Sequence, residues 1–151
     1  MATASSLGSF LTAVRDALGN RHGLVGVRIF TGPVGEQDIG PENIVFAVEE
    51  TRVSQDYPTV PQQEAFETYE VEGRIWIVKS GSGELAIAAA RDRALELLGE
   101  VQSECIANDT MDGSVRDVLL VSYAITQIAL DAARDCRVSF TLRVQANYTA
   151  P

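Results

Sequence analysis

The chain has 151 residues, 46% of them hydrophobic and 22% charged, which fits a single globular domain able to bury a core without disulfide or metal staples. Twelve basic residues against twenty-one acidic ones leave a net charge of −9, which excludes a nucleic-acid binder that works by neutralising phosphates. There is no run of about eighteen apolar residues to span a membrane, and the amphipathic start lacks the basic-then-apolar order of an export signal. A cytosol-like compartment is therefore expected, with Cys105 and Cys136 as reduced, mostly buried thiols.

Leu7, Phe10, Leu11, Val14 and Leu18 recur at helical spacing, which predicts a helix over Ser5–Leu18 with Ser5 or Ser6 as cap and Gly19-Asn20 as stop. Val25, Val27 and Ile29 then alternate within Leu24–Phe30, the signature of a strand. Thr31–Asn43, with Gly32, Pro33, Gly35, Gly40 and Pro41, reads as a loop, and Ile44–Val53 as a second strand. Pro58 and Pro61 lack a backbone donor, so Ser54–Gln63 reads as a long excursion between strands.

Phe66–Lys79 alternates strongly and predicts a long strand, in which Gly73 marks a bulge or a close backbone approach. Ser80–Gly83 is a tight turn with Ser82 placed to cap a helix over Glu84–Ala107, whose Ile87, Ala90, Ala94, Leu98, Val101 and Cys105 share one face. Asn108–Gly113 is a loop. Val115–Leu130 is mostly apolar, as a central strand covered on both faces is. After a turn at Asp131–Asp135, Val138, Phe140, Leu142, Val144, Ala146 and Tyr148 alternate with polar residues in a half-exposed strand. The order α-β-β-β-α-β-β predicts an α+β domain over residues 1–151: a mostly antiparallel sheet of about five strands, two helices packed on one face, the other face polar.

No constellation for catalysis emerges. The single histidine, His22, lies in a polar turn without a partner, and one histidine with two distant cysteines makes no metal site. Ser80-Gly81-Ser82-Gly83 sits where phosphate loops occur but lacks their lysine and glycine spacing. Glu70 and Glu72 belong to the solvent side of their strand, and Asp109–Gly113 lacks the ligand set of a calcium loop, so it reads as a turn. No catalytic, cofactor-binding or metal-ligating residue is expected.

The arrangement of these elements resembles the tail terminator, or tail-completion, proteins of long-tailed bacteriophages. The matching parts are the helix Leu7–Leu18, the strand Val25-Gly26-Val27-Arg28-Ile29-Phe30, the strand Ile44–Val48, Tyr69–Val78, the Ser/Gly turn, the helix Ala86–Val101 and the closing strand Arg137–Tyr148. The likeness spans roughly residues 7 to 148 and departs at Asn108–Leu130; it carries no catalytic motif, because the family has none.

The resemblance implies a structural virion protein in the tail or neck, assembled in the host cytoplasm. Such a protein forms a ring, usually a hexamer, that caps the tail tube, stops its growth and offers the docking surface for head-neck connector proteins. Its partners are then itself, the tail tube protein and the connectors, with no membrane involved. A closed ring requires two different patches on each subunit. Asp56, Tyr57, Val60, Gln62 and Phe66 are the candidate patch toward a neighbouring subunit or the tube, the alternative for Tyr57 and Val60 being a loop folded on its own core. DNA passes through the lumen without specific binding, and Glu36, Asp38, Glu49, Glu50, Glu70 and Glu72 are the candidates for an acidic wall that repels its phosphates. Two alternatives stand beside this: a tube or neck subunit of similar fold, and a small dimeric α+β enzyme or ligand-binding module.

Overall fold

The computed structural model describes residues 4–56 and 64–149. Helix α1 (Leu7–Gly19) leads into strands β1 (Arg28–Phe30), β2 (Glu42–Phe46), β3 (Val53–Asp56) and β4 (Glu64–Ser80). Helix α2 (Gly83–Ala107) and strands β5 (Asp117–Ala129) and β6 (Ala133–Thr149) follow. The architecture is the expected α+β one, with six strands among the described residues rather than five. The sheet runs β1-β2-β4-β6-β5, with β3 also alongside β4, and every pairing is antiparallel except β1 with β2.

Alternation explains the centre of this sheet. β4 and β6 pair over their whole length, from Glu64 opposite Thr149 to Ser80 opposite Ala133. Because side chains alternate across a strand, Tyr69, Val71, Ile75 and Ile77 join Cys136, Val138, Phe140, Leu142 and Val144 on one buried face. Both helices lie on that face. α1 contributes Phe10, Val14, Ala17 and Leu18, and α2 contributes Ala90, Ala94, Leu97, Leu98, Val101 and Cys105. Each large side chain buried this way stabilises the fold by about 1.5–3 kcal/mol.

Gly73 faces Phe46 on β2 and Phe140 on β6, and the two rings meet edge to face with centroids 5.7 Å apart. A Cβ on Gly73 would run into the Phe140 ring. The mid-strand glycine therefore marks a close approach, with no bulge in β4 at that point: the ring takes the space a side chain would fill.

The start of α1 is held by a side chain from the sheet. The Ser6 N–H donates to Glu67 Oε1 at 2.8 Å, and Gln55 Nε2 donates to Glu67 Oε2 at 2.8 Å. Ser6 occupies the cap position without a capping side-chain bond, and the Leu7 N–H donates to Ser5 Oγ at 3.1 Å. Burial pushes the Glu67 carboxyl up, but the Ser6 N–H and hydroxyl, the Gln55 amide and the Ser5 hydroxyl outweigh it and hold the group below the ordinary carboxylate value. The neighbouring Tyr69 phenol, 3.0 Å from the Ser6 hydroxyl, is pushed up to about 12 by burial, with the Glu67 charge adding to it.

On its outer flank α2 is tied down by arginines. Arg93 bonds both Glu42 oxygens, at 2.8 and 3.1 Å, and the Gly23 carbonyl at 3.2 Å; Arg21 reaches Glu100 at 2.6 Å and Glu104 at 3.0 Å. Buried Asn43 closes the turn before β2, accepting from the Gly40 N–H and donating to the Gly40 and Trp76 carbonyls.

Four sequence expectations are corrected. The first strand begins at Arg28, because Leu24 closes a 3-10 turn and Gly26 takes a positive φ of 83° that redirects the chain. The second strand stops at Phe46, where Ala47 enters the left-handed region at φ 55°. Val53, expected to end the second strand, and Ser54–Asp56, expected in the excursion, form a separate edge strand paired with Tyr69–Phe66. The last strand starts at Ala133, inside the expected turn, so Asp135 is a strand residue.

Two measurements follow from this packing. Gly73→Ala lowers stability by about 2–3 kcal/mol in urea unfolding, and adding Phe140→Leu recovers part of the loss, because the clash is with that ring. Glu67→Gln costs about 1–3 kcal/mol at pH 7. A carboxyl whose native pKa is lowered contributes stability that is present above its unfolded pKa and is lost as pH falls through the native one. The difference between wild type and Glu67→Gln should therefore shrink in urea unfolding at acid pH; a difference that stays constant from pH 7 to pH 3 contradicts it.

Candidate assembly interface

β5 is the largest departure from the sequence reading. Its apolar run was expected at the centre of the sheet, yet among the described residues β5 pairs only with β6 and forms the sheet's edge. Leu119, Val121, Tyr123 and Ile125 are 49, 38, 58 and 40% exposed. From Val118 to Ala129 the strand contains no charged residue, no proline and no glycine. Edge strands of soluble domains are ordinarily short, charged, kinked by proline or covered, since a bare edge is a template for another strand. The opposite edge follows that rule: β1 is three residues long and carries Arg28, and β3 is four residues with Ser54, Gln55 and Asp56 exposed.

The sheet pairing gives each β5 side chain its face. Val118 and Leu120 lie opposite Val144 and Leu142 on the helix side, and a bulge at Val121 shifts the register. Beyond it Tyr123, Ile125 and Gln127 oppose Phe140, Val138 and Cys136 on the helix side, and Ser122, Ala124 and Thr126 oppose Thr141, Ser139 and Arg137 on the open side. Tyr123 thus ends a row that runs Phe46, Gly73, Phe140 across the sheet, the one aromatic of that row left in solvent.

The open face carries mixed charge. Glu70 and Glu72 project from β4, Glu70 lying 3.9 Å from Arg143. Further along the sheet Asp135 is buried: it accepts from the Trp76 indole N–H at 2.9 Å and from Arg137 at 3.0 Å, while Arg137 stacks 4.1 Å from the centre of the Trp76 ring. Glu70, Glu72 and Asp135 are thus matched there by Arg74, Arg137 and Arg143. Much of the acidic excess sits elsewhere, on α2 at Glu84, Asp92, Glu96, Glu100 and Glu104 and in the loops.

Of the six proposed wall acids, Glu49 and Glu72 border one cleft on the open face. Glu70 stands a row away. Exposed Glu50 pairs with Arg52 at 3.1 Å, and Glu36 and Asp38 sit on the 3-10 turn Glu36–Asp38 before β2, near Arg28 and Trp76. The structure does not gather the six into one surface. Asp56 and Phe66 lie directly opposite each other where β3 meets β4, Phe66 exposed on the open face; Tyr57, Val60 and Gln62 lie outside the described residues.

A cleft of about 270 Å³ lies between α2 and the end of the β5–β6 hairpin, lined by Ile87, Ala90, Ile128 and Ala129. The charged groups at its rim are engaged in the fold: Arg134 bonds the Leu130 and Ala133 carbonyls, and Asp135 is held by Trp76 and Arg137. Among the described residues no group of three or more His, Cys, Asp and Glu comes together as a metal site, and no helix is long and apolar enough to cross a membrane. His22 is exposed in the turn His22–Leu24, and Asn108–Gly113 is a turn closed by Asn108, whose Oδ1 accepts from the Asp112 N–H.

Fold and surfaces together define an α+β domain with helices on one face of its sheet and, among the described residues, one long bare edge. No family model matches the sequence, and no curated protein sequence matches it. Among solved structures, a chain described as belonging to the "Virion of native gene transfer agent (GTA) particle" shares the fold, with a TM-score of 0.55 and 12% identity over 95% of this chain and 100% of that one. At that identity the likeness is one of fold.

The Trp76–Asp135–Arg137 group gives a direct check on the open face. Asp135→Ala strands the indole N–H and the guanidinium, and should cost about 2–3 kcal/mol. Trp76 is the only tryptophan, so its emission reports the site alone. An unshifted emission spectrum with unchanged stability contradicts the assignment.

Proposed function

We propose that this chain is a structural, non-enzymatic protein of a phage-like virion, a tail terminator whose ring caps the tail tube and presents the docking surface for head-neck proteins. The observation that carries the reading is the β5 edge, twelve consecutive uncharged residues left open on a sheet whose other edge is short and polar. Such a strand is a liability in a protein that works alone and an asset in one that works as an assembly. The fold shared with a gene transfer agent virion chain over nearly the whole length supports it.

A ring needs two unlike patches that meet by rotation. β5 supplies one. The edge at β3, with Asp56 and Phe66 and the following Tyr57, Val60 and Gln62, supplies the other. The strand directions are compatible: β5 runs with β4 and β3 runs against it, so edges of successive subunits meet antiparallel. In this arrangement the open face turns to the channel and brings Glu70 and Glu72 to the wall. Glu49, which borders the same cleft as Glu72, joins them there. With Arg143 3.9 Å from Glu70 and Arg74 on the same face as Glu72, the central wall carries balanced charge along which DNA slides without being held.

Negative-stain images of the concentrated protein are expected to show discrete closed rings, six subunits around. Tyr123→Lys/Ile125→Lys should abolish them while changing unfolding free energy by about 0.5 kcal/mol or less, since both side chains are exposed. Open-ended cylinders of indefinite length point instead to a tube subunit. A monomer at every concentration overturns the assembly reading.

A further inference from the structure

We infer that the free protein, before it joins a ring, closes its β5 edge by pairing β5 antiparallel with β5 of a second copy, as a twofold-symmetric dimer. The inference rests on β5 being the assembly edge, and it names the occupant of that edge in the unassembled state.

Length and charge select the occupant. The other open edges among the described residues are β1, three residues with Arg28, and β3, four residues ending in Asp56. Either engages only part of a thirteen-residue strand, so a contact there leaves the rest of β5 open. The edge that matches the uncharged stretch Val118–Ala129 in length and character is that same stretch in a second copy. Two identical strands pair antiparallel about a twofold axis normal to the sheet, which keeps the helices of both copies on the same side.

The faces then fix the register. Residues that oppose each other in a sheet must point the same way, and one step of slip exchanges the faces. The bulge at Val121 breaks the alternation, so the self-complementary stretch is Ser122–Ala129. A register that keeps like faces together puts a residue on the axis. The middle of the stretch lies between Ile125 and Thr126, so the axis falls on one of these two. Centred on Ile125, the pairing sets Ile125 against its own copy, Ala124 against Thr126 and Tyr123 against Gln127 of the second copy. No charged residue enters the paired segment.

This dimer and the ring compete for the same backbone groups. A subunit cannot engage β5 with a neighbour in the ring while β5 is paired with itself. The dimer therefore acts as a self-capped store that opens when a ring contact replaces it, and it keeps an otherwise aggregation-prone strand covered meanwhile.

Single-cysteine variants separate this pairing from any other. Directly opposed residues in an antiparallel pair sit about 4.5–5.5 Å apart at Cα, within disulfide reach. Native Cys105 and Cys136 are buried, so the wild-type chain is the blank. Under mild oxidation at micromolar concentration, Ile125→Cys or Thr126→Cys should give a covalent dimer in high yield, and Leu119→Cys, beyond the bulge, should not. Sedimentation of the wild type at that concentration should give twice the chain mass. The inference is overturned if neither central cysteine cross-links, if Leu119→Cys cross-links equally well, or if the wild type is a monomer. It is also overturned if a β5 cysteine cross-links only when mixed with Ser54→Cys, the pattern of a head-to-tail ring contact. A central cross-link in a protein that never forms rings supports the dimer and removes the ring.

Discussion

The seventeen-residue antiparallel pairing of β4 with β6 is the constraint to which the other elements are fitted. It sets two faces of opposite character and leaves only a limited number of places for everything else. Both helices must cover the apolar face. The short strands β2 and β3 dock end to end along one side of β4, and β5 takes the free side of β6. Glu67 shows how tightly the layers are coupled. A carboxylate on the apolar face of β4 is tolerable only because the first residues of α1 and the Gln55 amide saturate it. One side chain thus fixes the helix, the edge strand and the central strand relative to one another.

The same constraint produces the bare edge. Once β6 is committed to β4, β5 has a single neighbour, and its apolar composition is no longer explained by burial. A sheet can hide such a strand by closing into a barrel, by adding a covering helix or by recruiting another chain. Here α2 packs on β4, β6 and part of β5 and still leaves Tyr123 and Ile125 substantially exposed. The remaining solution is recruitment. This is why the proposed assembly role is argued from the physics of the edge and not from any catalytic group. The cleft beside α2 does not compete as an explanation, since the charged side chains at its rim already serve the fold.

Charge has a different meaning after folding than before. The net value of −9 speaks against a phosphate-neutralising surface. Its distribution says more: α2 and the loops carry much of the excess, and the central open face is balanced by Arg74, Arg137 and Arg143. A surface of that kind neither grips nor strongly repels a polyanion, which is what the proposed channel wall requires.

Periodicity and turn residues alone determined the fold class, both helices, the long β4 and β6 and the buried face, because each of these is a local pattern repeated over many residues; at Gly73 the sequence left a bulge and a close approach open, and the structure decided for the close approach. Short elements were less legible. Gly26 and Ala47 bend the chain through single positive-φ residues, and the four-residue β3 carries almost no periodic signal. For β5 the local pattern was misleading: an uncharged apolar run looks the same whether a strand is covered by its own chain or awaits a partner. Its place is decided by which side of β6 remains open after β4, a matter of non-local pairing that no window of sequence contains. The twelve uncharged residues were present in the sequence all along; only the tertiary structure put them at an edge and made them a surface.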